Sequence, residues 1–144
     1  MPLAANLVML AVYGQVALTL ALLFMTGKRR INALKDKKTT VAEIALNPMA
    51  WPEDALKAAN SYKNQFEVPV LFYVVCLMFM GFSNPDMIVA ALALLFTLSR
   101  YIHAFIHINS NHVIKRARAF FASALLVGLM WLYLLYSHIL SLVG

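Results

Sequence analysis

The chain has 144 residues, of which 62% are hydrophobic, and its formal net charge is +6. Soluble domains average about 45–50% apolar residues, so this composition predicts an integral membrane protein, with a single domain over residues 1–144. A nucleic-acid partner is not expected, because the Lys and Arg residues flank long apolar segments instead of forming a separate basic surface.

Four apolar segments are long enough to cross a bilayer, and they cover about residues 3–26, 62–82, 87–108 and 119–143. Spanning about 30 Å of hydrocarbon takes roughly 20 apolar residues in a helix. Helices also satisfy their own backbone hydrogen bonds inside lipid. The predicted fold is therefore an all-α integral membrane protein, a bundle of four transmembrane helices with a long loop over residues 28–60.

The basic residues are confined to two blocks, which predicts the orientation of the bundle. Eight of the twelve Lys and Arg residues fall within residues 28–63, and the other four are Arg100, Lys115, Arg116 and Arg118. Because basic residues favour the cytoplasmic side, the first and third connections are expected in the cytoplasm and both termini outside it.

The first predicted helix carries polar residues that fit a helix contact. Gly14 is expected to let a neighbouring helix approach closely, and Gln15 to hydrogen-bond across a helix contact, although packing alone is the simpler interpretation. Gly27 is expected to cap the C-terminus of this helix, because glycine commonly ends helices.

The second predicted helix opens with a polar stripe. At helical spacing Asn60, Asn64 and Glu67 fall on one face, and the apolar run that follows places Glu67 just inside the membrane. An ionisable group inside a membrane segment is costly, so it indicates a functional site. Pro69 leaves one backbone carbonyl without its helical partner and is expected to kink the helix beside Glu67.

The third predicted helix places Arg100, His103 and His107 on one face. Arg100 and Glu67 lie at similar depth and are natural partners, either directly or through a ligand, since a buried unpaired charge is unfavourable. A salt bridge that only fixes helix packing is the alternative. The two histidines and Glu67 could also hold a metal, but no metal is predicted because no further ligand is evident.

The fourth predicted helix is preceded or opened by Lys115, Arg116 and Arg118. A helix N-terminus is already partly positive, so several cations there favour binding of an anion such as a phosphate, a carboxylate or a thiolate. Contact of these side chains with anionic lipid headgroups is the alternative interpretation.

These residues resemble the MAPEG family, membrane-associated proteins in eicosanoid and glutathione metabolism. The resemblance covers nearly the whole chain: four spans, a long first loop, Asn64-x-x-Glu67-x-Pro69 opening the second span, and an Arg near the start of the fourth. It is closest to uncharacterised bacterial members, which implies a bacterial inner membrane. It also implies a homotrimer that binds glutathione between neighbouring subunits, near the cytoplasmic face.

The resemblance carries over residue by residue. Asn64 and Glu67 match the family's glutathione-binding positions on the second helix, whereas Asn60 stands where the family has Arg. His103 and His107 stand at positions where the family has tyrosines. The Arg that activates the thiol matches Arg116, and a register shift across the preceding turn would give that position to Arg118 instead. The resemblance thus implies Arg116 as the catalytic residue, and as ligand-binding residues Asn60, Asn64, Glu67, Arg100, His103 and His107.

The function expected from these residues together is that of a glutathione transferase-like membrane enzyme. Such a protein would use glutathione or a similar thiol as co-substrate and conjugate it to, or use it to reduce, a hydrophobic small molecule among the membrane lipids. Two other classes stay open. One is a non-catalytic protein that binds a lipid or a small molecule, and the other is a small proton-coupled exporter that uses Glu67.

Overall fold

The computed structural model describes residues 1–143 and confirms the four predicted spans. The helical segments that are long and apolar enough to cross a membrane are Leu3–Lys35, Glu53–Ser83, Met87–Ile108 and Val113–Val143. No strand occurs within the described residues. The protein is therefore an all-helical integral membrane protein.

Within residues 1–143, six α-helices and three short segments of other helical geometry follow one another. The α-helices are α1 (Leu3–Lys35), α2 (Val41–Leu46), α3 (Glu53–Lys63), α4 (Val68–Met78), α5 (Met87–Ile108) and α6 (Val113–Val143). Single 3₁₀ turns cover Pro48–Ala50 and Asn64–Phe66, and a π-helical turn covers Phe79–Ser83. The second span thus consists of α3, α4 and the two short turns that follow them.

Helix α5 packs against α1, α3 and α6 and forms the centre of the bundle. Its Phe96 ring stacks on Phe72 of α4, with ring centroids 4.2 Å apart, and both side chains are buried. Val8 of α1 and Met130 of α6 complete this core from the other two sides. The apolar faces of all four spans therefore meet around α5, which places any polar residue on its inner face within the bundle.

The predicted ends of two helices were wrong. Gly27 does not cap α1, which continues to Lys35 and is capped by Asp36. The extension is held to the second span, because Arg29 donates to the Asp54 carbonyl at 2.7 Å. The fourth helix begins six residues earlier than predicted, at Val113, since the polar residues before the apolar run are also helical.

Gly14 allows the close helix contact that its position predicted. A Cβ atom on Gly14 would meet Thr97 Cγ2 of α5 at 3.1 Å, tighter than an ordinary van der Waals contact. Gln15 is fully buried and makes the expected hydrogen bond between helices, donating to the side-chain oxygen of Gln65 at 2.9 Å. These contacts fix α1 against both α5 and the middle of the second span.

The second span is broken rather than simply kinked. Helix α3 begins at Glu53, but it gives way to a 3₁₀ turn and then to Glu67, whose φ of −102° and ψ of −108° are not helical. Pro69 has no N–H to donate backwards, so it lies in the first turn of a new helix, α4. The prediction that Asn60, Asn64 and Glu67 share one helical face was therefore wrong.

A short turn over residues 84–86 connects the second and third spans. Asp86 caps α5 by accepting a hydrogen bond from the Val89 N–H at 3.0 Å, and it also accepts one from the Tyr133 hydroxyl of α6. Partial burial alone would raise the pKa of Asp86, but these hydrogen bonds favour the carboxylate and lower the pKa below its usual value.

Candidate functional site

The candidate site lies toward the basic end of the bundle, between the break that follows α3, the second half of α5 and the first turns of α6. Its deepest member is Arg100 of α5, which is 0% exposed. Arg100 Nη2 donates to the Asn64 carbonyl at 2.8 Å, at the break in the second span. The other two nitrogens of the guanidinium, Nε and Nη1, are buried and have no hydrogen-bond partner in the described part of the chain. The bundle therefore encloses a cation that it only partly satisfies.

Glu67 does not form a direct ion pair with Arg100 within one chain. The ion pairs among residues 1–143 are Lys38–Asp36 and Lys57–Glu53, both away from the site. Glu67 is exposed, because the break in the helix turns its backbone away from the helical path expected from the sequence. It also does not join the two histidines as a metal ligand, since no group of three His, Cys, Asp or Glu side chains suited to a metal occurs in the described chain.

The two histidines of α5 lie on the same buried face as Arg100, as their spacing predicted. His103 and His107 are 1% and 3% exposed, and their ring centroids are 5.8 Å apart. The Nδ1 atom of each ring is buried without a hydrogen-bond partner. One buried guanidinium and two buried imidazoles thus lie on one face of α5, over three consecutive turns.

Arg116 approaches this group from the first turns of α6. It is half-buried, and its Nη1 lies 2.5 Å from Asn111 Oδ1 and 3.4 Å from His107 Nε2. Arg118 is exposed and contributes no side-chain hydrogen bond to the cluster. Of the two candidate arginines near the start of α6, Arg116 is the one in contact with the other predicted site residues.

A cavity of about 240 Å³ opens beside this cluster. It is lined by Asn64, His103, Val113, Arg116, Ala117, Phe120 and Phe121. Its polar side comes from Asn64, His103 and Arg116, and its apolar side comes from α6. The combination offers an anionic or polar group a cation and an amide, next to aromatic side chains that suit an apolar partner.

The structure brings together five of the seven residues that the sequence singled out, namely Asn64, Arg100, His103, His107 and Arg116. Asn60 and Glu67 are exposed on the surface of the single chain and line no part of the cavity.

Two residues of the site were missed by sequence reasoning. Asn111 holds Arg116, and Gln65 links the break to α1 through Gln15 while donating to the Ser61 carbonyl at 2.8 Å. Gln65 carried a detectable signal, because an amide inside an apolar segment needs a partner. Asn111 lies in a short polar turn with other Asn and Ser residues, so nothing in the sequence distinguished it.

Fold and site together define a four-helix integral membrane protein with a buried cationic cluster at one end. The MAPEG family model matches residues 8–136, which is most of the chain, so the protein belongs to the MAPEG family. This family includes membrane glutathione transferases and related proteins. Comparison with curated proteins gave no significant match, and neither did comparison with solved structures.

Proposed function

We propose that this protein is a membrane-embedded glutathione transferase-like enzyme. It binds a small anionic thiol, glutathione or a close relative, at the basic end of the bundle. It then conjugates the thiol to a hydrophobic electrophile dissolved in the bilayer, or uses two equivalents of the thiol to reduce that molecule, which leaves the two thiols joined as a disulfide. The observation that carries the proposal is the fully buried guanidinium of Arg100, with Nε and Nη1 unpartnered. It donates to the carbonyl of Asn64, which lines a cavity together with His103 and the second cation, Arg116.

A buried charge without a partner is strongly unfavourable, so a site that keeps one needs an anion from elsewhere. Glutathione supplies carboxylates for such a cation, and an amine and amide groups for polar side chains. In this proposal Arg100, which donates to the Asn64 carbonyl but does not itself line the cavity, attracts a carboxylate of the thiol compound towards that wall, and the Asn64 side chain hydrogen-bonds the backbone of the compound. His103 and His107 provide further hydrogen bonds from the buried side of α5.

Arg116 is the proposed catalytic residue. A free thiol has a pKa of about 8.5, and the thiolate is the nucleophile, so only a small fraction reacts at neutral pH. An opposite charge within about 4–6 Å lowers the pKa of an acid by roughly 1–3 units. Arg116 lies at the start of α6, where the helix N-terminus adds to the positive field. Together they would convert most of the bound thiol into thiolate.

The reaction then needs no group other than the two substrates. The thiol S–H bond breaks and its proton passes to solvent, while Arg116 holds the thiolate. The sulfur donates its electron pair to the electrophilic carbon, a C–S bond forms, and the leaving group departs with the pair of electrons from its own bond. Phe120 and Phe121 give the cavity an apolar wall on which a lipid-soluble partner can lie without crossing water.

The proposal includes a homotrimer with the site at the subunit boundary. It is supported by the exposure of Asn60 and Glu67, since polar side chains in a membrane segment generally face a partner rather than lipid. A neighbouring subunit would cover them, and Glu67 would then meet the amine of the bound thiol or a guanidinium across the boundary. The distribution of basic residues supports a cytoplasmic location for this end and external termini. The proposed location in a bacterial inner membrane rests on the resemblance to bacterial members of the family.

Arg116→Ala and Arg118→Ala form a matched pair of variants for testing the proposal. Both remove one cation from the start of α6, but only Arg116 lines the cavity. Arg116→Ala is expected to reduce thiolate formation and conjugation at least tenfold, because losing one unit of pKa depression is a tenfold loss of thiolate, whereas Arg118→Ala stays close to wild type. The measurements are thiolate absorbance on glutathione binding and turnover of a standard electrophile.

The outcomes of this pair separate the open classes. Glutathione binding without thiolate or turnover would favour a non-catalytic binding protein. A larger loss with Arg118→Ala than with Arg116→Ala would contradict the assignment of the catalytic residue.

A further inference from the structure

Arg116 is held in place by neutral acceptors only. Its Nη1 contacts the amide oxygen of Asn111 and the Nε2 atom of His107. A guanidinium has donors and no acceptor, so His107 Nε2 must offer its lone pair and the ring proton must lie on Nδ1. His107 is then uncharged, like Asn111. Neither contact removes any of the positive charge of Arg116.

This choice of partners is unusual for a partly buried arginine, which in proteins commonly pairs with a carboxylate. Among residues 1–143 the ion pairs are Lys38–Asp36 and Lys57–Glu53, and neither involves Arg116. The arginine is fixed in direction while its charge stays unpaired within the described chain.

The backbone of Asn111 is itself fixed by the turn between α5 and α6. Its φ is +50°, in the left-handed region that Asn tolerates better than most residues, and its N–H donates to the Ile106 carbonyl at 2.8 Å. The side chain therefore projects from a defined position. An Asn here meets two requirements at once, a left-handed backbone and a neutral acceptor for Arg116.

We propose that Asn111 is a positioning residue for the thiol chemistry: its amide oxygen orients the Arg116 guanidinium beside the cavity and leaves the positive charge free for an anionic sulfur. This inference rests on the function proposed above. An Asp at this position would keep the size, the backbone preference and the hydrogen bond, but it would pair its own charge with Arg116 and compete with the thiolate.

Asn111→Asp tests the charge, and Ser110→Asp is the matched control. Ser110 is exposed and its hydroxyl contacts the His112 N–H, so the control adds the same charge one residue away without touching Arg116. The measurement is the thiolate absorbance of bound glutathione across a pH series. Asn111→Asp is expected to raise the midpoint by about one pKa unit, a tenfold loss of thiolate below the midpoint, while Ser110→Asp titrates like wild type.

Asn111→Gly tests the orientation. Glycine adopts the left-handed backbone freely, so the turn is retained while the amide oxygen is removed. Turnover per bound thiol is expected to fall severalfold because Arg116 is no longer fixed. Helical content and native mass of all three variants are expected to match wild type.

Each outcome bears on a different claim. If bound thiol titrates with the same midpoint in Asn111→Asp as in wild type, the proposed role of Asn111 is overturned. Full turnover in Asn111→Gly would overturn it as well. If wild type forms no thiolate at any pH, the proposed function fails, and the role of Asn111 fails with it. An equal shift in Asn111→Asp and Ser110→Asp would mean that any nearby charge acts through the general field, which also contradicts a specific contact.

Discussion

Replacing Arg100 with Met tests whether this buried cation serves a ligand or the packing of helices. Met is an unbranched apolar side chain that fills irregular space, so it substitutes for the stem of the arginine without its charge. Arg100 makes one hydrogen bond in the described structure, from Nη2 to the Asn64 carbonyl, and leaves Nε and Nη1 unpartnered. The expected effects on stability and on binding are therefore different in size.

The magnitudes follow from these contacts. Losing a hydrogen bond to a charged group costs about 1.5–3 kcal/mol, whereas exchanging buried charged groups for well-packed apolar ones is often neutral or stabilising by about 1–4 kcal/mol. These terms nearly cancel, so the free energy of unfolding of the thiol-free protein is expected to change by less than about 2 kcal/mol. In Arg100→Met, bound glutathione lacks its buried charge partner, which costs about 2–5 kcal/mol of binding free energy. The Kd for glutathione is therefore expected to rise at least roughly 30-fold.

The assay compares thermal unfolding in detergent with an equilibrium titration of glutathione. Arg118→Met is the control, since Arg118 is exposed and the substitution removes the same charge. Arg100→Met is expected to unfold at a temperature near that of wild type and to bind glutathione weakly. Severe destabilisation together with an unchanged Kd would show that Arg100 serves helix packing, and the reasoning from its unpartnered nitrogens would be refuted.

Three further predictions concern the fold and the assembly. Gly14→Leu is expected to destabilise the protein by about 1–3 kcal/mol in thermal unfolding, because a Cβ there meets Thr97 at 3.1 Å, while Gly27→Leu projects into open space and serves as control. Asp86→Ala is expected to cost about 1 kcal/mol at neutral pH through loss of the helix cap. Because the folded pKa of Asp86 is depressed, its contribution is present above the unfolded pKa and disappears as the pH falls through the folded value, so the variant and wild type converge in acid. Native mass in mild detergent is expected to show a trimer, and monomer alone would contradict the proposed assembly.

The sequence predicted the parts of this protein that depend on composition and on local spacing. The apolar runs gave the four spans because length and hydropathy decide insertion. The spacing of Arg100, His103 and His107 gave one buried face because α5 is an uninterrupted helix. Gly14 was correctly assigned to a close contact, since a glycine in a membrane helix commonly marks one.

The remaining features depend on tertiary contacts that no local pattern encodes. The break around Glu67 was predicted only as a kink. The cost of leaving the helical path is offset by hydrogen bonds from Gln15 to Gln65 and from Arg100 to the Asn64 carbonyl. Because these partners lie far apart in sequence, no local pattern indicates them. The break moved Glu67 out of the predicted face. The hydrogen bond between Arg116 and Asn111 depends on the backbone conformation of one turn, which the polar sequence of that turn did not specify.

The central claim is that the cluster around Arg100 and Arg116 binds a thiol and ionises it. Titration of the purified wild-type protein with glutathione, followed by thiolate absorbance at neutral pH, tests that claim most directly. Saturable binding is expected, with a thiolate signal that grows in proportion to occupancy, together with conjugation of a standard electrophile. Absence of both thiolate and conjugation at saturating glutathione would contradict it.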